Sequence, residues 1–278
     1  MLAALAAPPA LAYRLPPEKL LQYWTAAVGQ YGTFEVRVQH ALYGPPGSAP
    51  ETAPAVFLFS RQGAFRFERE ASGPGRITAV GTAGEIVLVR GGKLLPPEAS
   101  RRYEFARLFT VPTQIDADAK AAIQAQGVLL DHPGALWLLG RLGDLGIEWK
   151  KTRLAPYGGG KVAYVIGLGY RDALPEEGLS AATQPLALFD NRSFFPLELR
   201  RYADAGGNLT LYRTLLTGYK NEVLQNFPRK ISVFVGGFPA EEFTLTSARQ
   251  SPKTVPEDFD PEVLRKSAGA RPPEATKP

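Results

Sequence analysis

Apolar residues along this chain recur at two spacings, and the switches between them divide it into three stretches. The first opens with a helix. After Pro16-Pro17, the residues Leu20, Leu21, Tyr23, Trp24 and Val28 fall on one side, and Gly29 to Gly32 stop it. Alternation follows over residues 33–43. Phe34, Val36, Val38, His40 and Leu42 occupy one face of a strand, and Glu35, Arg37 and Gln39 the other. A Pro/Gly/Ser loop over residues 44–54 ends it. Residues 56–68 predict a hairpin turning at Gln62-Gly63. Phe57 and Phe59 share a face on one arm, Phe65 and Phe67 on the other, while Arg66 and Glu68 point away. Residues 76–80 and 85–90 read as two further short strands.

From Ser100 the period lengthens. Residues 100–109, the Ala-rich 116–126 and 133–142 read as helices, a helical insert over about residues 100–143. Strand character returns at 147–154, 162–170, 186–189, 195–202, 209–219, 231–235 and 242–249. The Pro/Ala/Lys-rich end, 266–278, is expected to be a disordered tail. The order predicts the α+β class: one domain over residues 13–265, a large antiparallel sheet with helices gathered on one face.

Composition narrows the function. A hydrophobic fraction of 45% and a charged fraction of 21% belong to a globular chain that can bury a large core. The net charge of +5 is spread without a basic run, so no nucleic-acid partner is expected, though mild attraction to an anionic membrane surface is allowed. Without cysteine there is no disulfide, thiol catalysis or thiolate metal site. Residues 1–12 are small and apolar and close on Ala10-Leu11-Ala12. They read as a signal-peptide remnant lacking its positive n-region, with a disordered Ala/Pro arm as the alternative.

Catalytic signals are sparse. The sequence has two histidines: His40 sits inward on an alternating strand, where a hydrogen-bonded interior role is expected, and His132 precedes a helix as a turn or cap residue. There is no G-x-S-x-G elbow, and Gly158-Gly159-Gly160-Lys161 lacks P-loop spacing. Asp116/Asp118 suit a helix start and Asp258/Asp260 a turn. The expectation is a protein that is not an enzyme and needs no cofactor.

Several motifs in order carry a resemblance. Phe57-Leu58-Phe59-Ser60-Arg61 and Phe65-Arg66-Phe67 form a hairpin; Gly84-Glu85-Ile86-Val87-Leu88 is a turn into a strand. Pro133-Gly134-Ala135-Leu136-Trp137-Leu138-Leu139 is a helix, Phe189-Asp190-Asn191-Arg192 with Phe195-Pro196 a strand–turn–strand, and Phe227-Pro228-Arg229-Lys230-Ile231 a late strand opening. Over residues 18–264 this resembles the LolA/LolB-like family of periplasmic lipoprotein carriers. Gln62 replaces the family's turn proline, Phe67 its tryptophan, and the Asp and Lys of its Asp-Gly-Lys turn are missing.

The resemblance implies a strongly curved antiparallel sheet, an incomplete β-barrel, covered by helices that enclose a hydrophobic cavity. Glycines 63, 84, 167 and 169 suit its bends. It implies a periplasmic, monomeric carrier of the acyl chains of a lipoprotein or lipid, passing cargo between a membrane-bound donor and acceptor. The lipid-binding residues would be Val36, Val38, Phe57, Phe59, Phe65, Phe67, Leu88, Leu136 and Trp137, with Arg61 latching the helical lid. The same side chains would fill a solid core equally well. A lipid-sensing regulatory module of the same fold and an unrecognised hydrolase stand as alternatives.

Overall fold

The alternating stretches form a single antiparallel sheet. The computed structural model describes residues 15–128, 131–158, 160–168, 185–204, 209–250 and 252–269; the expected leader at 1–12, Gly169 and residues 270–278 of the expected tail lie outside them. The first half supplies β1 (Phe34–Leu42), β2 (Glu51–Phe59), β3 (Phe65–Arg69), β4 (Ile77–Gly81), β5 (Ile86–Arg90) and the two-residue β6 (Lys93–Leu94). The second half supplies β7 (Thr152–Tyr157), β8 (Lys161–Ile166), β9 (Leu186–Asp190), β10 (Pro196–Asp204), β11 (Leu209–Thr217), β12 (Lys230–Val235) and β13 (Phe238–Gln250). Strand order is β6-β5-β4-β3-β2-β1-β13-β12-β11-β10-β9-β8-β7. Two meanders therefore meet at one seam, where β1 pairs with β13. Among the described residues no strand joins β6 to β7, so the barrel stays open.

The sheet must roll. Laid flat, strands about 4.8 Å apart would put β5 and β10, eight steps distant, about 38 Å from each other. Yet residues beside β5 and Arg201 of β10 line one recess. The rolled sheet wraps α1 (Pro17–Gly29), whose apolar side Leu20, Leu21, Trp24 and Val28 is buried, and α4 (Pro133–Asp144), against which α1 packs. Between them α2 (Pro97–Ser100) continues into a nine-residue 3-10 segment, Arg101–Phe109, and α3 (Ala117–Gln124) leans on α4.

Four expectations are corrected or refined. Residues 100–109 are helical as expected, and largely in the tighter 3-10 form. β2 begins at Glu51 inside the expected loop, with Pro54 opposite Gln39 and its carbonyl accepting from Glu70 N at 2.9 Å. Residues 147–151 precede β7 instead of belonging to it, because Gly146, at φ +77, and a turn at Glu148–Lys151 delay the strand.

The fourth concerns the chain end. A helix, α5 (Pro261–Gly269), runs into the expected tail and packs on the outer face of β4 and β5. Helices thus cover both faces. The reason is local: Val80, Val87 and Val89 make the outer face of these strands apolar as well, and Leu264 of α5 buries them.

Candidate functional site

The aromatic hairpin meets the 3-10 segment. β2 and β3 pair Phe57 with Phe67 and Phe59 with Phe65, so the four rings form one inward patch. With three residues per turn, the segment splits into rows. Tyr103, Ala106 and Phe109 form one row and Phe105 and Leu108 belong to a second, and all of them are buried. Ring centroids lie 5.1 Å apart for Phe67–Tyr103 and 5.9 Å for both Phe57–Phe105 and Phe59–Phe109. The space expected as a hollow is filled by the chain's own side chains over this patch. Trp24 Nε1 donates to the Leu108 carbonyl at 2.9 Å and ties the segment to α1.

A polar cluster sits inside this apolar interior. His40 on β1 and Glu241 on β13 meet across the seam, with Nε2 of His40 3.0 Å from Glu241 Oε2. Tyr103 donates its hydroxyl to the same oxygen at 2.9 Å, and Arg102 reaches Oε1 at 3.4 Å. Burial pulls the Glu241 carboxyl upward, but His40, Arg102 and Tyr103 outweigh it and hold the group below its ordinary value. Burial, then Glu241, drives the Tyr103 phenol well above its own. His40 stacks on Phe243 at 4.5 Å, and its Nδ1 finds no partner among the described residues. Three buried groups thereby fasten the cover to the middle of the sheet.

All nine residues proposed for lipid contact are buried, and the fold gathers them into one core cluster. Trp137 sits at the hairpin turn. Its indole faces Gly63 in the hairpin turn, where φ is +78 and an added Cβ would lie 3.1 Å from Nε1. Arg61 is exposed; its guanidinium lies over Gly32 at the exit of α1, and its carbonyl accepts from Thr113 N at 3.2 Å. His132 caps α4, its Nδ1 accepting from Ala135 N at 3.2 Å.

Glu241 was missed by the sequence reading, although a signal existed. Phe243 and Leu245 are inward on β13, so an alternation extended two residues back makes Glu241 inward too. The partner of an inward histidine is then an inward acid.

A recess of about 620 Å³ opens on the far side of the cover, between the β4–β5 turn, the end of α4 and β10. Its lining is rich in arginine. Arg107 belongs to it and is 8% exposed. Among the described residues no helix is long and apolar enough to cross a membrane.

No family model and no curated protein matches the chain. Among solved structures, it is similar to a domain described as an outer membrane lipoprotein-sorting protein from Vibrio parahaemolyticus, 12% identical with a TM-score of 0.49; the match covers 89% of this chain and 97% of that one. A LolA superfamily protein from Nitrosomonas europaea is 12% identical with a TM-score of 0.47, over 88% and 97%. A DUF1329 family protein from Desulfovibrio piger is 7% identical with a TM-score of 0.38, over 90% and 100%. Identity this low transfers no function.

Proposed function

We propose that this chain is a non-enzymatic, monomeric periplasmic carrier that holds an acyl chain of a lipid or lipoprotein and closes on its own cover when empty. The guest tail would replace the Arg101–Phe109 segment against Phe57, Phe59, Phe65 and Phe67, with Val36, Val38, Leu88, Leu136 and Trp137 completing the wall. Cargo would pass between membrane-bound donor and acceptor by relative affinity, without a covalent step.

The cover carries this reading. Nine residues of 3-10 helix extend about 18 Å at about 2.0 Å per residue, close to the roughly 15 Å of hydrocarbon in one bilayer leaflet. The energies also match. A long acyl chain gains on the order of 10 kcal/mol from burial at about 0.8 kcal/mol per CH₂. Lifting Tyr103, Phe105, Leu108 and Phe109 off the sheet forfeits on the order of 6–12 kcal/mol. Two terms of equal size leave a small difference, which reversible loading requires. A 3-10 run of this length is also uncommon and poorly hydrogen-bonded along its own backbone, so it is held by its contacts with the sheet and α1 more than by itself. Arg61, lying over the α1 exit and bonded through its backbone to the segment that follows the cover, would bias the closed state.

The test is uptake of a fluorescent hexadecanoyl probe by the native chain. Saturable binding of one probe per chain is expected. Phe105→Ala should tighten it several-fold by weakening the cover, Arg61→Ala should tighten it less, and Phe67→Arg should weaken it at least tenfold with the circular dichroism spectrum unchanged. A native chain that takes up no probe overturns the carrier reading, whatever the variants do.

A further inference from the structure

The third row of the 3-10 segment faces away from the core. Arg101, Glu104 and Arg107 fall three apart and line the recess beyond the cover. Three arginines of that recess are neutralised there: Arg141 by Asp144 at 2.7 Å, Arg201 by Glu104, and Arg265 by Glu85. Arg101 and Arg107 have no carboxylate partner among the described residues, which leaves the lining two positive charges in excess. Arg107 is the more exceptional. It is 8% exposed, and its Nε has no hydrogen-bond partner. Burial, with Arg141 adding to it and Asp144 opposing, pushes its pKa down to about 10, so it stays cationic at neutral pH. Burying a cation without a bonded counter-ion is costly, which makes such a group a candidate partner for an external anion.

We propose that this recess is an oxyanion site, in which Arg107 and Arg101 bind a phosphate-class group through the planar donor forks of their guanidiniums. The shared chemistry allows two sources, the headgroup of a lipid or free phosphate. The headgroup source rests on the carrier reading: tail and head would then engage opposite sides of one segment, the tail displacing the aromatic rows while the head docks on the arginine row.

Two arms test this on the full chain. In the first, inorganic phosphate is titrated by calorimetry and by thermal unfolding. Saturable binding that weakens with added salt is expected, and Arg107→Gln should lower the affinity at least tenfold. In the second, a fluorescent diacyl probe with a phosphate head is compared with the same probe bearing a neutral hydroxyl head. A preference of at least tenfold for the phosphate head is expected, and Arg107→Gln should erase it. Should Arg107→Gln fail to fold, Arg101→Gln at the rim replaces it, with a smaller loss expected in each arm.

Headgroup preference lost in the variant supports the site with a lipid as its source. Phosphate binding lost in the variant supports it with the free anion, even if no acyl probe binds, an outcome that sinks the carrier reading alone. Identical behaviour of native and variant chains in both arms, or binding in neither, overturns the oxyanion site while leaving neutral-probe uptake to decide the carrier reading.

Discussion

The 3-10 cover separates two buried ionisable groups that are treated in opposite ways. On its core side Glu241 is 3% exposed and receives His40, Tyr103 and Arg102. On its recess side Arg107 is nearly as buried and receives no carboxylate among the described residues. Burial is the largest influence on both, yet the balance differs. Partners overcome it at Glu241 and leave that carboxyl below its ordinary value, whereas at Arg107 it prevails and the guanidinium is pushed down. A buried charge whose partners come from its own chain is part of the scaffold. The one without such a partner among the described residues, Arg107, is where we propose that an anion binds.

The strongest way to break this comparison is to empty its satisfied side. Glu241→Ala removes the acceptor from two buried donors, and urea denaturation at neutral pH should show a loss of about 3–5 kcal/mol, the usual cost of removing one member of a buried charged network. Acid offers a gentler route. Because the folded Glu241 carboxyl lies below its unfolded value, its contribution is present in full above about pH 4.3, the ordinary glutamate value, and is lost as pH falls through the depressed folded value. Unfolding free energies measured from pH 7 to pH 3 should fall more steeply for the native chain than for Glu241→Gln, which starts lower. The smallest effect has the opposite sign. Arg107→Met takes away a buried charge with no carboxylate bonded to it among the described residues, and in phosphate-free buffer it should raise stability by about 1 kcal/mol. A loss there would mean that Arg107 is already satisfied and the two sides are alike.

How much of this was readable in advance depends on how far each feature reaches along the chain. The inward face of β1, the pairing of Phe57 and Phe59 with Phe67 and Phe65 across one turn, and the start of α1 at a proline are local, and period alone determines them. The 3-10 form of residues 101–109 is not a matter of period, since apolar residues three apart suit either coil. α5 was hidden because its apolar side is little more than Leu264, and its partner is the second apolar face of β4 and β5. The filling of the hollow was beyond local reading for the same reason: Phe67 and Tyr103 each look like wall residues until the fold presses one against the other. Arg107 left a fainter trace, a lone cation between Ala106 and Leu108 in a run otherwise bound for the core.

The seam where β1 meets β13 has a consequence for how the molecule assembles. Each meander closes through hairpins between neighbours in sequence, but the seam joins His40 to a glutamate 201 residues later, and chain-closure entropy opposes that joint more than any hairpin. A polypeptide arriving amino-terminus first must hold one edge of β1 bare until its thirteenth strand appears, exposed meanwhile to pairing with the wrong neighbour. The imidazole–carboxylate contact then acts as a registration mark: a slip of one residue would turn Glu241 outward and strand the histidine in hydrocarbon, so a misaligned union is disfavoured at its very centre.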